Sequence, residues 1–341
     1  MRKKRISLPQ ADDAMKNLLR RSADNDIAIA RVAQRELAVS LQEPLRQGIL
    51  DGDIIGEWGI FTPLDFAPGQ QIEFPLDFIV PGTESEYSAY TMPNYGRIPE
   101  KHIEGDYVSV PTYDVGAAID WALKYARDAR WDIVTRAMQV LENMFVRKMN
   151  SDAWRCIIAT GVDRNLLAYD GNAPAGFLTK RLVSVMKTTM RRSGGGNLSA
   201  SGQIKLTDLF VSPEAMEDIR TWDLTQIDDV TRRQIFLAEN DGGLSSIFGV
   251  DLHELDELGE GQSFQTYYTS LGGTLNGTDT ELVIGLSLND VAGSSFVMPV
   301  RERLQIFEDE ALHRQRRQGY YGWQEHGFAV LDNRRVMFGS L

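Results

Sequence analysis

Trp131-Asp132-Ile133-Val134-Thr135-Arg136-Ala137-Met138-Gln139-Val140-Leu141-Glu142-Asn143-Met144-Phe145 is the stretch whose reading decides the fold. Trp131, Val134, Met138, Leu141, Phe145 and Met149 fall three and four residues apart, the spacing that places them on one side of a helix. Ile133, Ala137, Val140 and Met144 widen the stripe, while Asp132, Arg136, Asn143 and Arg147 mark the opposite face. The pattern predicts one helix from Asp128 to about Ile158, a rod on the order of 43 Å at about 1.5 Å per residue. Ordinary globular helices are about three turns long. Far along the chain this helix has a counterpart in a closing strand cassette. It reads Gly319-Tyr320-Tyr321-Gly322-Trp323, then Gly327-Phe328-Ala329-Val330-Leu331-Asp332-Asn333-Arg334-Arg335-Val336-Met337-Phe338.

Upstream of the helix, residues 52–112 change character. Prolines at 63, 68, 75, 81, 93, 99 and 111 forbid a long helix and confine strands to edges. Alternation survives in Gln71-Ile72-Glu73-Phe74 and in Tyr107-Val108-Ser109-Val110, which read as two legs of a long antiparallel excursion. Pro81-Gly82 and Asn94-Tyr95-Gly96 turn it along its length. Compact domains seldom carry about 30 residues of such chain, so the excursion is expected to reach another molecule; a surface loop or lid is the alternative. Before it, Ile27, Val32, Leu37, Leu41 and Leu45 predict a helix over 27–50 that Pro44 and Gly48 kink or end. Residues 1–23 are polar and basic and are expected to form a flexible arm.

Downstream, Val115 to Leu123 reads as a strand or short helix, and Leu178 to Arg191 as a second helix closed by the joint Ser193-Gly194-Gly195-Gly196-Asn197. Leu206 to Val211 reads as a buried strand. Ser212-Pro213-Glu214 then supplies an N-cap, a first-turn proline and a first-turn acid for a helix to about Trp222. Asn276-Gly277 reads as a hairpin turn before a strand over Glu281 to Leu288.

The 341 residues are 43% hydrophobic and 25% charged, ordinary for a folded protein, with a net charge of -12. That sign argues against a general nucleic-acid binder, which carries a broad basic face. Cys156 stands alone, so no intramolecular disulfide forms, and its apolar neighbours make it a buried thiol. No run approaches the roughly 20 apolar residues that span a bilayer, and no apolar segment follows the basic Arg2-Lys3-Lys4-Arg5. His102, His253, His313 and His326 are isolated in sequence, and no zinc spacing, phosphate loop or G-x-S-x-G elbow is present. The acid pairs Asp256/Glu257 and Glu308/Asp309/Glu310 diverge on any element and mark solvated turns better than a glycosidase dyad. No catalytic residue, metal or cofactor is assigned.

The order of arm, extended loop, long helix, mixed domain and terminal strand resembles a major capsid protein of tailed double-stranded DNA bacteriophages, the Hong Kong phage capsid fold. Leu209-Phe210-Val211-Ser212-Pro213-Glu214 and the terminal Gly-Phe-Ala-Val-Leu cassette carry the nearest local likeness, and Ile247-Phe248-Gly249-Val250-Asp251-Leu252 is similar to the family's loop-then-strand step. The resemblance implies an α+β fold. Its parts would be an arm (1–51), an extended β-hairpin loop (52–114) and a peripheral domain (115–200) with a spine helix. An axial domain with a central mixed sheet (201–295), a peripheral return (296–326) and a terminal axial strand (327–341) would follow. It implies a virion shell assembled in the host cytoplasm from pentamers and hexamers around double-stranded DNA held nonspecifically. Portal, decoration protein and a separate scaffolding protein are the further implied partners; the start at Met1, with no scaffolding segment ahead of the arm, favours the separate scaffold. Phe61, Phe66, Phe74, Phe78, Tyr87, Tyr95, Arg97 and Lys101 are the intersubunit candidates on the loop. Glu308, Asp309, Arg314, Arg316 and Arg317 are expected to form salt bridges within or between subunits. Some relatives join a loop lysine to an asparagine; Lys101, near Glu100 and Glu104, is the lysine that would serve. An encapsulin-like compartment shell and a soluble acidic hydrolase with a long lid are the alternatives.

Overall fold

The computed structural model describes residues 13–24, 26–50, 52–75, 107–174, 176–193, 204–222, 245–277, 280–289 and 295–341. Two helices come first, α1 (Asp13–Arg21) and α2 (Ile27–Leu50). Where a flexible arm was expected, residues 13–23 pack onto the body of the molecule. Leu19 is fully buried, and the Ser22 hydroxyl donates to its carbonyl at 2.6 Å. The side-chain amides of Gln34 and Gln318 donate to the Ser22 carbonyl (2.9 Å) and hydroxyl (3.1 Å), tying α1 to α2 and to a strand near the C-terminus.

Helix α2 runs through Pro44, contrary to the expected kink or end. Proline removes one helical hydrogen bond. Against that loss, Leu37, Leu41, Leu45 and Ile49 are buried as a row, each contributing about 1.5–3 kcal/mol. On either side of the proline, Gln42 and Arg46 donate to the Leu304 carbonyl at 3.2 and 2.7 Å. Ile27 and Val32, assigned to the apolar stripe from sequence, are 59% and 53% exposed; Ala30 and Ala33 hold the buried positions instead.

A π-helical turn (Asp53–Glu57) leads to β1 (Thr62–Asp65), β2 (Glu73–Pro75), β3 (Tyr107–Ser109) and β4 (Tyr113–Ala122). After the short α3 (Leu123–Arg127) comes the long helix α4 (Trp131–Arg164), 34 residues and roughly 51 Å. All six residues of its predicted line are buried, whereas Val140 and Met144 face outward, so the stripe is narrower than expected. The helix passes Ile158 because Gly161 still faces the core. It ends at Asn165, whose left-handed backbone (φ 51) sends its N–H back to the Gly161 and Val162 carbonyls. Gly161 is a close approach: a Cβ there would lie 2.2 Å from the ring of Phe338.

The remaining elements are β5 (Leu167–Tyr169), α5 (Lys180–Ser193), β6 (Asp208–Val211), α6 (Pro213–Thr221), β7 (Ser245–Ile247) and β8 (Val250–Glu254). Then follow α7 (Ser263–Ser270), β9 (Leu282–Leu286), β10 (Phe296–Glu308), β11 (Arg317–His326), β12 (Ala329–Val330) and β13 (Val336–Ser340). Ser212 caps α6 as its sequence predicts, accepting from the Ala215 N–H at 3.1 Å. Two expectations are corrected. Phe248-Gly249, both with positive φ, form a tight hairpin turn joining β7 to β8, so the segment is a hairpin and not a loop then strand. Asn276-Gly277 follows a helix and joins no hairpin. Residues 296–308, within the expected return, form one strand with register shifts at Val300/Glu302 and Glu302/Gln305. The terminal cassette also divides: β11 and β12 join one sheet and β13 another, parted by a turn in which the Asp332 carboxylate accepts from the Arg334 N–H.

The first sheet has the order β1-β10-β11-β4, with β12 also on β10; α2 packs on β10 and α4 on β4. The second sheet has the order β5-β13-β9-β6-β8-β7. On one face of it Phe210, Ile284 and Phe338 meet Trp154 of α4 and Phe264 and Tyr268 of α7 in a core continuous with the first sheet. On the other, Leu209, Val211, Val283 and Met337 meet Val183 and Met186 of α5 and Ala215 and Ile219 of α6.

Candidate assembly surfaces

The excursion read from residues 52–112 is anchored at its root. β2 and β3 pair antiparallel with Phe74 opposite Val108, as the alternation predicts, and Ile72 and Val110 are buried beneath them. Beyond that clamp Tyr107 is 62% exposed and Val108 is exposed beside it. The stretch before β2 belongs to the body: Ile54, Ile60 and Phe61 are buried within the same chain. Phe61 is therefore no interface residue. Its ring meets Phe296 and Phe328 edge-on at 5.8 and 5.0 Å, because β1 pairs parallel with β10 and carries the preceding residue inward. Phe66 and Phe74 are half-buried against each other, centroids 5.9 Å apart. Phe78, Tyr87, Tyr95, Arg97 and Lys101 lie outside the described residues.

In the acidic and basic runs of 308–317, Glu308 and Arg317 reach partners outside the run. Glu308 is nearly buried and meets Arg35 of α2 at 3.6 Å. Arg317 pairs with Asp120 on the neighbouring β4. Asp309 caps the following turn by accepting from the Ala311 N–H at 3.0 Å. Arg316 takes a left-handed backbone (φ 57), and its carbonyl accepts from Leu123 at 2.9 Å. The side chain of Arg314 lies outside the described residues.

One surface escaped the sequence reading. Phe307, Tyr321 and Trp323 form an aromatic ladder across β10 and β11, with Phe307 stacked on Trp323 at 4.5 Å and on Tyr321 at 5.8 Å. All three are half-exposed, and Tyr321 and Trp323 face the small residues Ala118 and Gly116 on β4. The signal was the period-two alternation of β11, in which Gln318, Tyr320, Gln324 and His326 point inward and Tyr321 and Trp323 outward.

The residues that could do chemistry are held structurally. His253 Nε2 lies 2.8 Å from Asp208 Oδ1 and its ring stacks on Phe210 at 4.7 Å. Burial pushes the Cys156 thiol up to about 11, away from the reactive thiolate. Asp256 and Glu257 are exposed turn residues. Among the described residues no group of three or more His, Cys, Asp or Glu side chains could hold a metal ion. No described helix is long and apolar enough to cross a membrane.

No protein-family model and no curated protein sequence matches the chain. Solved structures do. The chain is similar to the capsid asymmetric unit of cyanophage Pam1 over 83% of its own length and 88% of that chain, with a TM-score of 0.54 at 13% identity. It is similar to the acid-stable capsid of Helicobacter pylori bacteriophage KHP30 over 83% and 90%, with a TM-score of 0.53 at 10% identity. The structure of Microbacterium phage Oxtober96 matches over 83% and 89%, with a TM-score of 0.54 at 10% identity. The chain has the fold of the major capsid proteins of tailed phages.

Proposed function

We propose that this chain is a major capsid protein whose copies form the icosahedral head of a tailed phage as pentamers and hexamers around double-stranded DNA. The observation that carries the reading is the likeness to phage capsid structures over 83% of the sequence. The exposed root of the excursion supports it, since Tyr107 and Val108 leave apolar surface uncovered where the antiparallel legs depart from the body. In this reading α4 is the spine of a peripheral domain built on the first sheet, and the second sheet is the axial domain at the capsomer centre. The excursion overlaps a neighbouring copy, with Phe66, Phe74, Phe78, Tyr87, Tyr95, Arg97 and Lys101 at or near that contact. A separate scaffolding protein, a portal and a decoration protein complete the particle, which assembles in the host cytoplasm.

The test is to express the chain alone and with its scaffold and to follow particles by sedimentation and negative-stain microscopy. Megadalton shells are expected. Deleting residues 78–105 should leave a folded subunit, by circular dichroism, that makes no stable shell. Normal particles from the deletion would overturn the role of the excursion, and a small, discrete oligomer from the full chain under all conditions would overturn the shell.

A further inference from the structure

Strand direction in the second sheet separates its charges. β6 runs parallel to β8, and β9 is antiparallel to both β6 and β13, so the C-terminal ends of β6, β8 and β13 lie together with the start of β9. Carboxylates collect at that end. Glu254 closes β8, Glu281 precedes β9, Glu214 and Asp218 follow β6 on α6, and Glu257 and Glu260 stand exposed on the next turn. Gly259 of that turn lies against the Glu214 carboxylate, which brings the two acidic segments together. Burial raises the Glu281 carboxyl, and the charges of Glu214, Asp218 and Glu260 push it the same way. Arg181, in the first turn of α5, is taken up by Asp170 at 3.7 Å.

The opposite end carries the arginines. Arg191 and Arg192 close α5 and are exposed, Arg334 and Arg335 just before β13 are largely buried, and Asp163 and Asp251 stand at the same end. Arg164, at the end of α4, joins these segments by donating to Ser193 Oγ at 2.6 Å and to the Arg334 carbonyl at 2.7 Å. Burial lowers the Arg164 guanidinium; Asp332 opposes this and Arg334 adds to it. Asp332 is engaged by Arg334 at 2.8 Å and Arg335 at 3.8 Å, and Asp208 by His253. The two ends are separated by roughly 17 Å, the length of a five-residue strand.

We propose that the two ends mate between copies, the arginine-bearing end of one second sheet seating against the carboxylate-bearing end of the next. The occupant is a second copy of this chain because every copy carries both halves, while a net charge of -12 holds a polyanion off the molecule as a whole. A contact between different ends of one body is heterologous, so it builds a ring when the rotation closes. It therefore rests on the shell reading for its closure and adds the charge pattern that fixes order around the capsomer. Rim pairs of this kind contribute little energy singly and act through register and encounter.

Charge reversal tests it. Arg191→Glu with Arg192→Glu, and separately Glu257→Arg with Glu260→Arg, should each raise the protein concentration needed for assembly by more than about tenfold. The four changes together should restore assembly to near the parent value. Arg191→Gln with Arg192→Gln, read beside thermal melts, keeps the test sound if a reversal fails to fold. Unchanged assembly in both reversals, or no rescue in the combination, overturns the proposal. Normal assembly by the arginine reversal with lost binding to a short DNA duplex overturns it in favour of a phosphate-facing surface. Normal shells from every variant leave the shell reading intact and remove this contact. Small salt-sensitive oligomers showing the rescue, with no shells from the parent, keep the contact and remove the shell.

Discussion

His326 offers a pH test of the packing between the two strands that frame α4. Its ring is fully buried between Tyr113 and Phe328, with centroids 5.3 Å from each. Neither ring nitrogen has a hydrogen-bond partner. Burial pushes its pKa down from 6.5 to about 4; the charge of Asp152 opposes the shift and that of Lys148 adds to it. A depressed value means that the folded state resists the proton the unfolded chain accepts. Stability is thus complete above the unfolded value of 6.5 and is lost as pH falls towards 4. Integrating over that window gives a loss of about 3 kcal/mol from this one group between about pH 7 and pH 4. His326→Phe removes the titration and keeps an apolar ring beside a cavity of about 100 Å³ lined by Ile49, Leu50, Met149 and Leu304. Urea melts of the isolated protein across the pH range, parent against variant, isolate this contribution, since every other titratable group is present in both. The variant should match or exceed the parent near neutrality, having lost two unpartnered buried nitrogens, and should pull ahead as the pH falls. A parent-minus-variant difference that stays flat from neutrality to pH 4 would refute the reasoning.

Gly161→Ala drives a methyl into the Phe338 ring, which another helix turn and a strand hold in place; a loss of about 1–3 kcal/mol in chemical melts is expected, and an unchanged midpoint would contradict the close approach. Met138→Asp with Leu141→Asp places two carboxylates in the fully buried row of α4 and should abolish soluble folding; a soluble, cooperative double variant would mean that the helix face is misassigned. Ser212→Ala deletes the α6 cap and the hydrogen bond to Glu281, costing about 1 kcal/mol or more in the same melts. Glu281, raised in the folded state, contributes stability below the ordinary glutamate range that is lost as pH rises through its folded value. Glu281→Gln should accordingly flatten the slope of stability against pH above that range.

The parts of this fold that could be read from sequence are those whose periodicity is local. The row from Trp131 to Met149, the Ser212-Pro213-Glu214 cap and the paired legs around Phe74 and Val108 each follow from spacing or cap chemistry within a few residues. What could not be read depends on partners distant in sequence. Phe61 looks like any loop aromatic until β1 is laid beside β10, some 235 residues away. Pro44 reads as a helix end unless Leu304 is known to hold both sides of it. The basic run at 314–317 suggested pairing with its acidic neighbours, but strand alternation delivers Arg317 to Asp120 across the ladder. Charge written in one dimension gives no direction; strand order is what gathers Glu214, Glu254 and Glu281 at one end of the second sheet.

Shared packing then constrains how such a subunit can change shape. Trp154 of α4 lies 4.8 Å from Phe210 of the second sheet and 5.9 Å from Trp58, which precedes β1 of the first. Phe338 of β13 seats over Gly161 of the same helix, while Gln324 of β11 reaches Met149, twelve residues earlier. A hinge between the sheets would have to open this aromatic joint and forfeit about 1.5–3 kcal/mol for each large side chain exposed. Close-packed cores of this kind switch between discrete arrangements and do not bend smoothly. The two sheets and α4 therefore move as one body, and changes of shape fall to segments attached to it by few buried residues. The root of the excursion is such a segment: Ile72 and Val110 clamp it, and Tyr107 and Val108 above them are already in solvent.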